Sequence, residues 1–156
     1  MSIKYVIVDI DGTVADLSHR IHFIEGEKKD WDSFYNNVEK DKPIQHVIDV
    51  VTSLALSGCQ LVFVTGRPDR CYYQTEDWLE RYLPSFGTMI RKPVIFFRKN
   101  GDFRSDTVVK SEIYENRLKV IGINPSNTVV FEDRASVVQM WRGFGFTCFQ
   151  VADGEY

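Results

Sequence analysis

Two aspartates, Asp9 and Asp11, stand two residues apart at the end of an apolar, β-branched run that begins at Ile3, and Gly12 and Thr13 follow them. In a strand, residues i and i+2 point the same way, so both carboxylates can face one cavity. Two carboxylates held there repel each other unless a proton or a cation is shared. A hard, oxygen-seeking Mg²⁺ resolves the conflict, with Asp133 arriving from a later strand end as a further ligand. Such a metal neutralises a phosphate and exposes its phosphorus to in-line attack by a carboxylate. Asp9 is then the nucleophile and forms an aspartyl-phosphate. Asp11 is placed to protonate the leaving oxygen and later to activate water. Lys110 and the Thr65 hydroxyl bind the phosphoryl oxygens and stabilise charge in the transition state.

These residues need a scaffold that gathers strand ends, and the punctuation of the chain supplies one. Short β-branched runs at Ile3 to Ile10, Gln60 to Thr65, Val94 to Phe97, Thr128 to Phe131 and Phe146 to Val151 read as buried strands. Helical patterns lie between them: Ile44 to Ala55, started by Pro43 and stopped by Gly58; Asp69 to Leu83; Asp106 to about Ile121; and Asp133 to about Phe144. In the third of these, Val109, Ile113, Leu118 and Ile121 form the expected buried side. Alternation of this kind predicts an α/β fold, a Rossmann-like three-layer sandwich around a central parallel sheet. Ligands of such sheets bind beyond the carboxyl ends of the strands, at the topological switch point. Residues 16–42 break the alternation and read as a small helical cap insert, with Trp31, Phe34, Tyr35 and Val38 as its own miniature core. The 156 residues fit one domain spanning 1–156.

Four motifs now stand in order: Asp9-Ile10-Asp11-Gly12-Thr13, Thr65-Gly66, Lys110, and Glu132-Asp133. This set resembles the haloacid dehalogenase (HAD) superfamily, and the acid at Asp11 implies its phosphatases and phosphomutases. The stretches Gly101 to Lys110 and Asp133 to Gly145, with Cys148 to Gly154, are similar to the phosphatase-domain family of the T-even phage polynucleotide kinase–phosphatases. The similarity runs from Ile3 to Tyr156 and is weakest over the insert. That resemblance implies Mg²⁺-dependent removal of 3′-phosphates from DNA or RNA ends in nucleic-acid repair. It also implies functional roles for Asp9, Asp11, Arg20, Arg67, Asp106, Glu132 and Asp133, with Glu132 and Gly66 drawn in through their motifs. One departure is Glu132, where the family carries aspartate, with consequences for the outer shell of the metal. No Gly-x₄-Gly-Lys-Ser/Thr phosphate loop occurs in the sequence, so kinase activity is not expected of this chain and a kinase or ligase partner would act in trans.

Residues 91–110 carry Arg91, Lys92, Arg98, Lys99, Arg104 and Lys110 against Asp102 and Asp106. As a strip entering the site, Arg98 and Arg104 are expected to hold phosphates flanking the scissile one, and Arg67 to bind substrate directly after the second strand. The net charge of −3 disfavours a generic basic nucleic-acid binder. No apolar stretch approaches a bilayer span, the first residues do not read as a signal peptide, and Cys59, Cys71 and Cys148 read as free thiols, so a cytoplasmic location is expected, that of the host if the chain is phage-encoded. His19, His22 and His46 fit no metal spacing. Two other readings stay open: a phosphatase of free nucleotides or other small metabolites, and a non-catalytic module that holds nucleic-acid ends.

Overall fold

The computed structural model describes residues 2–84, 86–87 and 91–156. Chain order runs β1 (Tyr5–Val8), a short strand β2 (Ala15–Asp16), α1 (Trp31–Asn36), a short strand β3 (Lys42–Pro43), α2 (Gln45–Leu56), β4 (Gln60–Pro68), α3 (Tyr72–Tyr82), β5 (Val94–Arg98), α4 (Asp106–Ile113), β6 (Thr128–Glu132), α5 (Ala135–Gly143) and β7 (Thr147–Gln150). The central sheet has the order β5-β4-β1-β6-β7. Every pairing in it is parallel. The chain builds outward from β1 to β5 on one side, then crosses to β6 and β7 on the other. The reversal leaves the carboxyl ends of β1, β4 and β6 side by side, which is the switch point.

Strand periodicity sorts the core into two layers. Val6, Val8, Leu61, Phe63, Val129 and Phe131 face α2 and α3, packing with Ile48, Val51, Trp78 and Leu79. Ile7, Val62, Val64 and Val130 face the opposite side, packing with Tyr114, Leu118, Val137, Val138 and Trp141. A one-residue shift of β1 would exchange these sets, so its register is strongly specified. The three cysteines are buried and free.

Several elements differ from the sequence expectation. Pro43 does not start a helix: Lys42–Pro43 pairs antiparallel with Ala15–Asp16 and ties the stem of the insert. The insert holds only one short α-helix, flanked by 3₁₀ turns at Ser18–Phe23 and Val38–Lys40. The helix expected from Asp106 to Ile121 is α-helical only to Ile113, then passes through a π-helical turn at Tyr114–Leu118 and a 3₁₀ turn at Lys119–Ile121. The wider turn places both Tyr114 and Leu118 in the core and leaves Ile121 exposed. Strand β4 runs on to Pro68 through a register irregularity between Val64 and Pro68, so Thr65, Gly66 and Arg67 belong to the strand itself.

Candidate active site

Asp9 follows β1, and its backbone N–H continues the ladder onto the Phe131 carbonyl of β6 at 3.0 Å. This places its side chain beside Glu132 and Asp133, the residues that end and follow β6. One carboxylate oxygen from each of the three lies within 4.8 Å of the others. Lys110, from the second turn of α4, is buried against them. Its Nζ donates to Asp9 Oδ1 at 2.6 Å and to Glu132 Oε2 at 2.8 Å. The Thr13 hydroxyl reaches Asp9 Oδ2 at 3.0 Å and Asp133 Oδ1 at 3.3 Å. The extra methylene of Glu132 lets one oxygen meet Lys110 while Oε1 accepts from the N–H groups of Asp133 and Arg134 at 3.2 and 3.3 Å.

Three acids share one lysine, and the charge is not balanced. Burial, reinforced by Glu132, pushes the Asp9 carboxyl well above the usual carboxylate range. Burial and Glu132 likewise push Asp133 up to about 7. Burial alone would lower the Lys110 ammonium, but Asp9 and Glu132 more than reverse that and keep it charged. Asp133 Oδ2 is buried with no hydrogen-bond partner. It sits in a cradle of two glycines, Gly12 and Gly154, where an added Cβ would lie 2.1 and 2.0 Å from that oxygen. An orphaned oxygen in a crowded all-oxygen acidic cluster fits a hard divalent cation.

The Asp11 carboxylate lies outside this three-acid cluster and is held by two arginines. Its Oδ1 accepts from Arg20 Nη2 at 2.5 Å and from Arg67 Nη2 and Nε at 2.6 and 3.0 Å. Burial pushes the Asp11 carboxyl up, and the two guanidinium groups overcome it and hold it well below the usual range. Both arginines are fully buried. They stand behind Asp11 and not on the cleft wall where the sequence reading placed them. Their second anchor is Asp41, a buried carboxylate absent from the sequence reading. Asp41 accepts from Arg20 Nε and Nη2 at 2.7 Å each and from Arg67 Nη2 at 2.7 Å. Its carbonyl also takes the Trp78 indole N–H at 2.8 Å, and His19 Nε2 lies 2.8 Å from Oδ1.

The remaining expected contacts divide. Asp9, Asp11, Gly66, Arg98, Arg104, Asp106 and Glu132 line one cleft of about 580 Å³. Thr65 is fully buried, and its Oγ1 accepts from the Arg67 N–H at 3.1 Å, supporting the bulged strand end. Gly66 is required by close approach: a Cβ there would meet Asp106 Oδ1 at 2.8 Å. The Asp106 carboxylate bonds Arg98 through Oδ1 and Arg134 through Oδ2, the latter at 3.2 Å. The basic strip does not act as one surface. Arg98 braces the β5–α4 loop, donating to the carbonyls of Gly66, Asp102 and Arg104 at 2.9, 2.9 and 2.5 Å. Arg104 is clamped between Asp102 and Glu112. Arg91 and Lys92 precede β5 and therefore lie toward the opposite edge of the sheet from the cleft. Tyr156 is a further residue without a sequence signal. Its hydroxyl donates to the Asp11 carbonyl at 2.9 Å and its ring lies under the Arg134 guanidinium, 4.7 Å away.

With the geometry in place, comparison with known proteins becomes informative. The family described as the polynucleotide kinase PNKP phosphatase domain matches residues 3–156. A protein of Autographa californica nuclear polyhedrosis virus, named as a bifunctional polynucleotide kinase/RNA ligase, is 30% identical over 143 residues, which cover 89% of this chain and 18% of that protein. A chain in the Pnkp1/Rnl/Hen1 RNA repair complex superposes with a TM-score of 0.74 at 25% identity, over 99% of this chain and 44% of that one. This chain thus spans less than half of either relative. A haloacid dehalogenase-like hydrolase of Streptococcus pneumoniae superposes with a TM-score of 0.63 at 14% identity, covering 95% and 84% of the two chains, and shares the fold. Among the described residues, no helix is long and apolar enough to cross a membrane.

Proposed function

This chain belongs to the family of polynucleotide kinase PNKP phosphatase domains, and on that premise we propose that it is a Mg²⁺-dependent phosphatase that removes 3′-phosphates from DNA or RNA ends through an aspartyl-phosphate. The observation that carries the reading is Asp9, which opens onto the cleft while Lys110 fixes one of its oxygens and Glu132 and Asp133 each offer a carboxylate oxygen within 4.8 Å. Asp9, Asp133 and Glu132 are the residues that would hold Mg²⁺, which when bound balances their charge and that of an incoming phosphate.

Asp9 attacks phosphorus, and the bond to the leaving 3′-oxygen breaks as that oxygen takes a proton from Asp11. Asp11 then removes a proton from the water that cleaves the acyl phosphate and returns Asp9. For this cycle Asp11 must gain and lose a proton while Arg20 and Arg67 stay charged. The two arginines oppose that protonation in the free protein, and Asp41 lessens its cost, because it remains as their counter-ion whenever Asp11 is neutral. Lys110 holds Asp9 in attacking orientation and offsets negative charge as it develops. A kinase or ligase acting on the same ends in trans is in keeping with the names of the relatives.

The commitment of Arg98 and Arg104 to neighbouring acids favours recognition of the terminal nucleotide over a long phosphate tract, and free 3′-nucleotides are the rival substrate on that ground. A panel of 3′-phosphorylated oligonucleotides, 5′-phosphorylated oligonucleotides and free nucleotides, each with Mg²⁺, tests the proposal. The 3′-phosphorylated oligonucleotides are expected to give the highest kcat/KM. Faster hydrolysis of free nucleotides overturns the polynucleotide assignment.

A further inference from the structure

The cleft carries two aromatic surfaces that the chemistry at Asp9 leaves unused. Phe103, on the β5–α4 loop, lines the cleft and is 83% exposed. A bare phenyl ring on a mobile loop would be unremarkable, but this loop is pinned on both sides of the ring. The Arg98 guanidinium binds the carbonyls of Asp102 and Arg104, and the Asp102 N–H returns to the Lys99 carbonyl at 3.0 Å. Phe103 is therefore held out toward the cleft by a braced backbone. Sequence reading assigned Arg98 and Arg104 to flanking phosphates; their hydrogen bonds instead shape the loop that presents this ring.

The second surface comes from the insert. Phe34 is buried as the miniature core requires, but Trp31 is 37% exposed and lines the same cleft. Its indole is supported from behind by packing on Tyr35, nearly parallel at 5.9 Å, and by the edge contact with Phe34 at 5.8 Å. The Lys29 ammonium lies 5.6 Å from the indole centroid. Supported aromatic faces accept nucleobases of any identity, because each base has a π-face. A cation beside them suits a ligand that carries phosphates.

We propose that Trp31 and Phe103 form a stacking site for the terminal nucleobase of a 3′-phosphorylated single strand, placing the sugar-phosphate over Asp9. The inference rests on the 3′-phosphatase reading and names how that site recognises its end. Base stacking on one such platform alters affinity by about 5- to 150-fold.

Intrinsic fluorescence isolates the contact, because Trp78 and Trp141, the other two indoles, are buried. The Asp9→Asn protein, which cannot turn over, is titrated with a 3′-phosphorylated trinucleotide and with the same molecule lacking the terminal base. Quenching by the first, weaker binding of the second, and loss of the signal in Trp31→Phe of the same background are expected. In the active protein, kcat/KM for the base-bearing substrate should exceed that for the abasic one by about 5- to 150-fold. Phe103→Ala and Trp31→Ala should bring that ratio toward unity, and Trp31→Tyr should retain most of it. An unchanged ratio in both alanine variants, or no base preference in the unmodified protein, overturns the stacking site. If quenching occurs as described but the protein hydrolyses no 3′-phosphate, the stacking site stands and the phosphatase reading falls.

Discussion

Asp41→Asn is the most revealing single perturbation, because it removes a charge that contacts no substrate. Asp41 is buried and accepts four hydrogen bonds on its carboxylate, three from Arg20 and Arg67 and one at His19. An amide keeps the shape and one accepting oxygen, but its NH₂ group faces guanidinium donors. Removing one partner of a buried ionic cluster costs about 3–5 kcal/mol. For a domain of this length each kcal/mol moves the melting temperature by roughly 2–4 °C, so a fall of about 10 °C is expected. The catalytic effect is separable. Without Asp41, both arginines rely on Asp11 alone, and Asp11 becomes harder to protonate. Loss of a general acid costs about 10²- to 10⁴-fold in rate, and partial loss about 10- to 100-fold. That loss should appear in kcat for a 3′-phosphorylated nucleotide, whose alkoxide leaving group needs a proton. p-Nitrophenyl phosphate, whose phenolate leaves unaided, should be much less affected. Assays are run well below the lowered melting temperature, with thermal denaturation measured separately. Equal losses of kcat on the two substrates, or no change in either kcat or melting temperature, would refute the counter-ion argument.

Three further outcomes follow from the same site. Without metal, the raised carboxyls of Asp9 and Asp133 make the folded protein bind protons more tightly than the unfolded chain, so the stability they contribute is present below about pH 4 and lost as pH rises, for Asp133 through about 7. The melting temperature in chelator should therefore fall between pH 5 and about pH 8, and Mg²⁺ should raise it more at the upper end; a metal effect that is the same at both would contradict the acidic-cluster reading. Gly12→Ala places a Cβ against Asp133 Oδ2 at a backbone φ of 81°, so it should weaken the Mg²⁺ dependence of the melt by displacing that oxygen; calorimetric titration with Mg²⁺ checks this. Lys110→Met removes the shared cation from Asp9 and Glu132, and should lower both stability and kcat by at least about tenfold in the latter; retention of full turnover would remove Lys110 from the mechanism.

The parallel sheet and its layers were legible because β-branched runs alternating with amphipathic helices leave few arrangements for the chain. The convergence of Asp9, Lys110 and Asp133 was legible for the same reason, since each sits at a strand end or in the next helix. What escaped was held by long-range contact. Asp41 lies in a polar stretch with no motif around it, and only the folded insert brings it to Arg20 and Arg67, 21 and 26 positions away. The arginines themselves were visible as charges, but their burial behind Asp11 depends on that partner. Pro43 was misread because a proline at the start of a helical pattern and one in a short edge ribbon look alike locally. The π-helical turn at Tyr114–Leu118 has no sequence signature beyond a slipped apolar spacing, and the role of Trp31 depended on which side of a six-residue helix faces the cleft.

The most direct test is rapid acid quenching of the protein during turnover of an oligonucleotide carrying a radiolabelled 3′-phosphate, in Mg²⁺. Label is expected on the protein, on the peptide containing Asp9, and absent from Asp9→Asn and from samples in chelator. Turnover of the same oligonucleotide by Asp9→Asn, with no label trapped on the unsubstituted protein, would contradict the account.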